Sequence, residues 1–106
     1  MKNNPQNGWI IVHTEGDPQF GRVDEINAYH TSGHPQAPFP LSRTGYRVGY
    51  HWVIELDGRA IRTRYDDEEG AHCIGRNRDS IGTCTVGNAD RKLPTEAQIK
   101  TLTRLL

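Results

Sequence analysis

The sequence predicts an α/β fold in which a mixed central β-sheet is flanked by helices. Three observations support this class. Short apolar runs at 9–12 (WIIV) and 80–86 (SIGTCTV) predict strands, two segments with helical spacing predict helices, and Asp57-Gly58 predicts a β-hairpin turn. Their order along the chain is strand, helix, hairpin, strand, helix.

The first strand follows a polar lead-in. Residues 1–8 are rich in Asn, Gln, Pro and Gly and are expected to be loose, which leaves 9–106 as one domain. The run at 9–12 is continuously apolar, as expected of a central strand buried on both faces. We expect this strand to end at His13.

A short amphipathic helix is predicted from residue 22 to about residue 32, because Val23, Ile26 and His30 recur at helical spacing. Gly33 is expected to end it. Residues 33–49 contain three prolines and predict a long loop, of the kind that often forms a rim over a groove.

The hairpin is predicted from alternation on both sides of its turn. Residues 50–56 alternate as a strand, Asp57-Gly58 is a strong two-residue turn signal, and residues 59–64 return as the partner strand. Residues 66–69 are acidic and are expected to be solvated.

The last two predicted elements are a strand at 80–86 and a helix after it. Cys84 lies inside the apolar strand and is expected to be a small core residue. Thr95-Glu96-Ala97-Gln98 matches a capping box, and apolar residues at helical spacing follow to the end of the sequence.

Composition narrows the class of function. Thirteen basic residues balance thirteen acidic ones, so the charge gives no support for nucleic acid or a membrane surface as a partner. No segment approaches the roughly 20 apolar residues of a membrane span, and the N-terminus does not resemble a signal peptide. We therefore expect a monomeric protein made in the cytoplasm.

Five histidines in 106 residues indicate a chemical site. His13 stands where a predicted strand gives way to a loop, a position at which an imidazole is either a metal ligand or a hydrogen-bonded structural residue. The loop at 70–77 (GAHCIGRN) offers an imidazole, a guanidinium and an amide that suit a polar ligand carrying a carboxylate. An exposed polar turn is the alternative for this loop.

Four blocks together carry a family resemblance: IIVHT, GYHWVIELDG, GAHCIGRNRDSIGTCTVGN and LPTEAQIKTLTRLL. In order and spacing they resemble the zinc-dependent N-acetylmuramoyl-L-alanine amidases, which include phage endolysins and the peptidoglycan recognition proteins. The resemblance covers roughly residues 9–106. It implies a hydrolase that acts on peptidoglycan or a muropeptide, uses zinc, and reaches the cell wall after release or export.

The resemblance also implies roles for residues of the first two blocks. His13 matches the first zinc ligand of the family. Tyr50 matches the tyrosine beside the zinc, which assists either the polarised carbonyl or the attacking water. His51 is expected to give hydrogen-bond support.

In the third block, His72 and Asn77 match the substrate groove, with Arg76 near enough to meet a carboxylate of the stem peptide. His30 matches a structural histidine on the first helix.

The two remaining zinc ligands of the family, a His and a Cys or Asp, would lie beyond the last helix, and no histidine follows His72. We therefore expect the chain to be a fragment that stops within that helix and has little activity alone. The alternatives are a non-catalytic peptidoglycan-binding module and a protein that binds a partner such as a polymerase.

Overall fold

The computed structural model describes residues 9–15, 22–87 and 93–105. Its elements are β1 (Trp9–Glu15), α1 (Val23–Ala28), β2 (Trp52–Ile54), β3 (Ala60–Arg62), β4 (Ser80–Val86) and α2 (Glu96–Leu105), with a π-helical turn at Tyr29–Gly33. The predicted order of strands and helices is confirmed. The predicted lead-in at 1–8 lies outside the described residues.

The four strands form one mixed sheet in the order β1-β4-β2-β3. Strand β4 pairs in parallel with β1 on one side and with β2 on the other, whereas β2 and β3 pair antiparallel as a hairpin. This topology places the carboxyl ends of β1 and β4 beside each other. The α/β class predicted from the sequence is confirmed.

The prediction of a central first strand is wrong. Among the described strands β1 lies at the edge of the sheet, and Ile10 and Val12 are 42% and 45% exposed on one of its faces. The strand also continues past His13 to Glu15. An apolar run cannot distinguish a central strand from an edge strand, because the residue types do not show whether the strand pairs with one neighbour or with two.

The first helical segment is confirmed, with a change of hydrogen bonding inside it. Helix α1 passes into the π-helical turn, which ends at Gly33, and His34 is extended. Val23, Ile26 and His30 are all buried, as their spacing predicts. This burial fixes the imidazole of His30 beneath the loop that follows.

The hairpin has a three-residue turn instead of the predicted two-residue turn. The amide of Glu55 donates to the carbonyl of Arg59, and Gly58 has a φ of 90°, a value that favours glycine. Strand pairing extends over only three residues on each side. The Asp-Gly pair therefore predicted the position of the turn correctly, but the predicted turn length was wrong.

Helix α2 begins with the predicted capping box. The Thr95 hydroxyl accepts a hydrogen bond from the Gln98 amide at 3.1 Å, and the Gln98 side chain accepts one from the Thr95 amide at 2.9 Å. The Gln98 side chain is fully buried and also donates to the carbonyls of Ile54 and Val86, at the ends of β2 and β4. Gln98 thus joins the helix to the sheet.

The core lies between α1 and the sheet and contains Val23, Ile26, Val53, Cys84 and Val86. Cys84 is fully buried, as predicted. None of the helices in the described part of the chain is long and apolar enough to cross a bilayer.

The acidic loop is solvated only in part. Glu68 is 5% exposed and accepts hydrogen bonds from the Ser42 hydroxyl and the Arg43 and Tyr65 amides. Arg64, which is fully buried, donates to the carbonyl of Pro40. These contacts hold the proline-rich loop against the hairpin, and the prediction of simple solvation is wrong for Glu68.

Candidate active site

A groove of about 370 Å³ opens where the loop after α1 faces the loop before β4. Its walls combine imidazoles, a phenol, a carboxylate and an amide with apolar side chains. The residues that line it include Glu15, His30, Phe39, Tyr50, His72 and Asn77.

His13 and His72 meet at the edge of this groove. The Nε2 atom of His13 lies 3.0 Å from Nδ1 of His72, and the Tyr50 ring lies 5.2 Å from the His13 ring, centre to centre. His13 comes from β1, Tyr50 precedes β2, and His72 lies in the loop before β4. Three segments that are distant in sequence therefore bring three of the predicted site residues together.

Glycine makes room for the His72 ring. A Cβ atom at Gly82 would lie 2.5 Å from Cγ of His72, and one at Gly70 would lie 2.5 Å from its Cδ2. Both distances are too short for any side chain. The imidazole is therefore packed directly against backbone and has little freedom to turn.

Burial favours the neutral form of two imidazoles of the site, those of His72 and His13. It lowers the pKa of His72 to about 3, with repulsion from His13 and His51 acting in the same direction. Burial also lowers the pKa of His13, although Glu15 opposes this effect. A neutral imidazole has one nitrogen lone pair, which it can offer to a metal or to a hydrogen-bond donor.

Glu15 is a site residue that sequence reasoning missed. Its carboxylate accepts hydrogen bonds from the Tyr50 hydroxyl at 2.5 Å and from Nε2 of His30 at 2.8 Å. Burial alone raises the pKa of Glu15, but these hydrogen bonds outweigh it and the pKa lies below its usual value. The predicted strand ended at His13. Had it been extended to Glu15, the alternation of side chains along a strand would have placed Glu15 on the same face as His13.

His51 supports the backbone, in agreement with its expected role. The ring is fully buried, accepts a hydrogen bond from the Gly82 amide at Nδ1, and donates from Nε2 to the carbonyl of Glu68. His51 therefore connects the start of β2 to β4 and to the acidic loop.

The two other predicted substrate residues differ in their positions. The Asn77 side-chain oxygen accepts hydrogen bonds from the His72 and Cys73 amides at 2.8 Å each, and the residue lines the groove. Arg76 forms an exposed ion pair with Asp79 at 2.9 Å and is not among the groove-lining residues described above. The structure brings Asn77 to His13, Tyr50 and His72, but directs Arg76 to another partner.

The described residues do not form a complete zinc site. Zinc in proteins takes three or four ligands, usually imidazole, thiolate or carboxylate groups. Within 9–15, 22–87 and 93–105 no three His, Cys, Asp or Glu side chains are grouped closely enough to hold a metal ion. His13 has the neutral imidazole that a ligand needs, and further ligands would have to come from outside these residues.

Solved structures define the class of fold. The chain resembles the N-acetylmuramoyl-L-alanine amidase LysC from Clostridium intestinale, with a TM-score of 0.70 and 26% identity over 96% of this chain and 60% of that one. It also resembles peptidoglycan recognition protein LE, solved in complex with tracheal cytotoxin, with a TM-score of 0.71 and 20% identity. That likeness covers 98% of this chain and 61% of that one. The fold is that of the amidases and peptidoglycan recognition proteins.

Sequence comparison defines the family. Residues 2–106 match the family described as N-acetylmuramoyl-L-alanine amidase, and the chain belongs to that family. The endolysin of Escherichia phage T7 is 41% identical over 64 residues, which are 56% of this chain and 42% of the endolysin. The chain thus spans less than two thirds of the length of these relatives.

Proposed function

We propose that this chain is part of a zinc-dependent peptidoglycan hydrolase that cleaves the amide bond between N-acetylmuramic acid and the L-alanine of the stem peptide. The observation that carries the proposal is the meeting of His13, Tyr50 and His72 at one groove. The family match over residues 2–106 supports the reaction class. The complex of a fold relative with a monomeric peptidoglycan supports the substrate class.

The roles proposed for the residues are those that the family resemblance implies, and the positions of His13, Tyr50, His72 and Asn77 are compatible with them. His13 is one zinc ligand, and Tyr50 contacts the reacting group. His72 and Asn77 bind the substrate along the groove wall. Arg76 is proposed to meet a stem-peptide carboxylate, and its ion pair with Asp79 uses one of the guanidinium nitrogens.

The reaction is a hydrolysis. Water adds its oxygen to the carbonyl carbon of the lactyl group, the carbon–nitrogen bond breaks, and the amine of L-alanine leaves with a proton. Phage origin of the relatives supports a site of action at the cell wall.

Release of stem peptide from a defined muropeptide, followed by mass spectrometry, tests the proposal in the longest natural protein that contains this chain. We expect His13→Ala and a chelator to abolish release, and added zinc to restore it after chelation. Tyr50→Phe is expected to lower the rate by about 10²-fold. Tyr65→Phe is the matched control, because Tyr65 is exposed and lies away from the groove-lining residues described above.

A non-catalytic peptidoglycan-binding module is the second candidate, and one observation favours it. The part of the chain that the structure describes holds no group of three metal-binding side chains. This function predicts that muropeptide binding survives both the chelator and His13→Ala, with no release of stem peptide. Release that requires His13 would exclude it.

A further inference from the structure

Glu15 is a carboxylate that two largely buried aromatic side chains share. Its Oε1 atom lies 2.5 Å from the Tyr50 hydroxyl and its Oε2 atom lies 2.8 Å from Nε2 of His30. The Glu15 side chain is 24% exposed, whereas His30 is 2% exposed and Tyr50 is 6% exposed. Neither the sequence motifs nor the proposed zinc chemistry assigns a role to it.

The direction of each hydrogen bond follows from the neighbouring groups. The Gly49 amide donates to Nδ1 of His30 at 3.0 Å, so the ring proton of His30 stands on Nε2. Nε2 therefore donates to Glu15, and Glu15 has one oxygen left for Tyr50. A carboxylate can accept at both oxygens, which makes Tyr50 the donor in the second bond.

This direction determines what Tyr50 can do in the groove. A phenol has a single O–H hydrogen, and here that hydrogen points to Glu15. Any groove group that hydrogen-bonds to the Tyr50 oxygen must then donate to it. A water molecule satisfies this condition, whereas a carbonyl oxyanion does not.

We propose that Glu15 is a positioning residue that makes Tyr50 a hydrogen-bond acceptor toward the groove, so that Tyr50 orients the attacking water and does not donate to the oxyanion. This inference rests on the proposed function for its catalytic meaning. The hydrogen-bond network itself can be tested without catalysis.

The Glu15→Gln substitution tests whether Glu15 acts through its two acceptor oxygens or only by filling space. Glu15→Gln keeps the shape of the side chain but leaves one acceptor oxygen for two donors, so either Tyr50 or His30 loses its partner. Glu15→Asp keeps both acceptors on a shorter side chain and serves as the conservative rescue. Thr14→Ala is the matched control, because Thr14 is exposed on the opposite face of the same strand.

Nuclear magnetic resonance of the isotope-labelled chain provides the first measurement. In the wild-type chain we expect a protonated Nε2 and an unprotonated Nδ1 for His30, and a slowly exchanging Tyr50 hydroxyl proton. Glu15→Gln should remove the slow exchange of one of these two protons, and Thr14→Ala should leave both. Persistence of both protons in a folded Glu15→Gln variant would overturn the proposal, as would a His30 protonated at Nδ1 in the wild type.

Steady-state kinetics of muropeptide cleavage provide the second measurement. Glu15→Gln is expected to lower kcat by about tenfold or more and to change KM by less than about twofold, with partial recovery in Glu15→Asp. An unchanged kcat would overturn the positioning role. These kinetics use the longest natural protein that contains this chain. If that protein is inactive in its wild-type form, the proposed function fails, and the resonance experiment alone decides whether Glu15 directs the Tyr50 hydroxyl.

Discussion

Gly82 is one of two glycines that leave room for the His72 ring. A Cβ atom there would lie 2.5 Å from Cγ and 2.6 Å from Cδ2 of the ring. We predict that Gly82→Ala displaces His72 and lowers the free energy of unfolding by about 1–3 kcal/mol, because the ring is trapped between backbone segments. Urea unfolding of the purified variant measures this loss.

A double-mutant cycle provides the control for Gly82→Ala. In a His72→Ala background the added methyl group has space, so the same substitution is expected to cost less than in the wild type. An equal cost in both backgrounds would show that the clash lies elsewhere.

The burial of His51 leads us to expect that the protein is less stable at acidic pH. Burial, the dominant effect, keeps its pKa below the usual value of 6.5, so the folded protein resists protonation while the unfolded chain accepts a proton near 6.5. The unfolded state then binds more protons below that pH. We predict that the free energy of unfolding is highest above about pH 6.5 and falls as the pH is lowered toward about 5.

His51→Asn tests this origin of the pH dependence, because an amide can still accept the Gly82 hydrogen bond but does not titrate. Urea unfolding at about pH 8 and about pH 5 should give a smaller difference for the variant than for the wild type. The part that remains is expected to reflect His72 and His13, since burial also lowers the pKa of His72, to about 3, and the pKa of His13. A wild-type protein that became more stable on acidification would contradict the prediction.

At the scale of elements, α2 is attached to the sheet through Gln98. Its side-chain NH₂ group donates to the last carbonyl of β2 at 3.1 Å and to the last carbonyl of β4 at 2.9 Å. We predict that Gln98→Glu lowers the free energy of unfolding by about 3 kcal/mol, because a buried carboxylate would face two carbonyl oxygens. Thermal or urea unfolding measures the change.

Glu96→Gln is the matched control on the same helical turn, since Glu96 is exposed. Its expected effect is within about 0.5 kcal/mol. Similar losses for the two variants would mean that the hydrogen bonds of Gln98 do not hold the helix to the sheet.

At the scale of the whole molecule, the described residues form a groove but do not form a full set of metal ligands. The described residues bring His13 to the groove without a group of three metal-binding side chains. We therefore predict that the 106-residue chain binds zinc with a Kd weaker than about 1 µM, because affinity depends on the full ligand set. Isothermal titration calorimetry with zinc measures this affinity.

The matched measurement uses a longer natural protein that contains this chain. If the proposed zinc site is completed outside the described residues, the longer protein should bind zinc more tightly and His13→Ala should remove the difference. Tight zinc binding by the 106-residue chain would instead require a ligand set that its described residues do not form.

Much of the local structure was predictable because it depends on neighbours in sequence. Strand β4 has the predicted bounds, and the capping box at Thr95–Gln98 forms both of its hydrogen bonds. The buried face of Val23, Ile26 and His30 follows helical spacing through the π-helical turn. In each case a side chain and its partner lie within a few residues, so pattern and propensity carry the information.

The sequence by itself determined the α/β class and the order of the elements, and its family resemblance predicted site roles for His13, Tyr50 and His72. Only the tertiary structure decided that β1 lies at an edge, that Arg76 pairs with Asp79, and that Glu15 joins Tyr50 to His30. The physical reason is distance along the chain. Strand pairing and the contacts of Glu15 join segments that lie far apart in the sequence. Hydrophobic periodicity describes only neighbouring residues, so it does not predict these contacts.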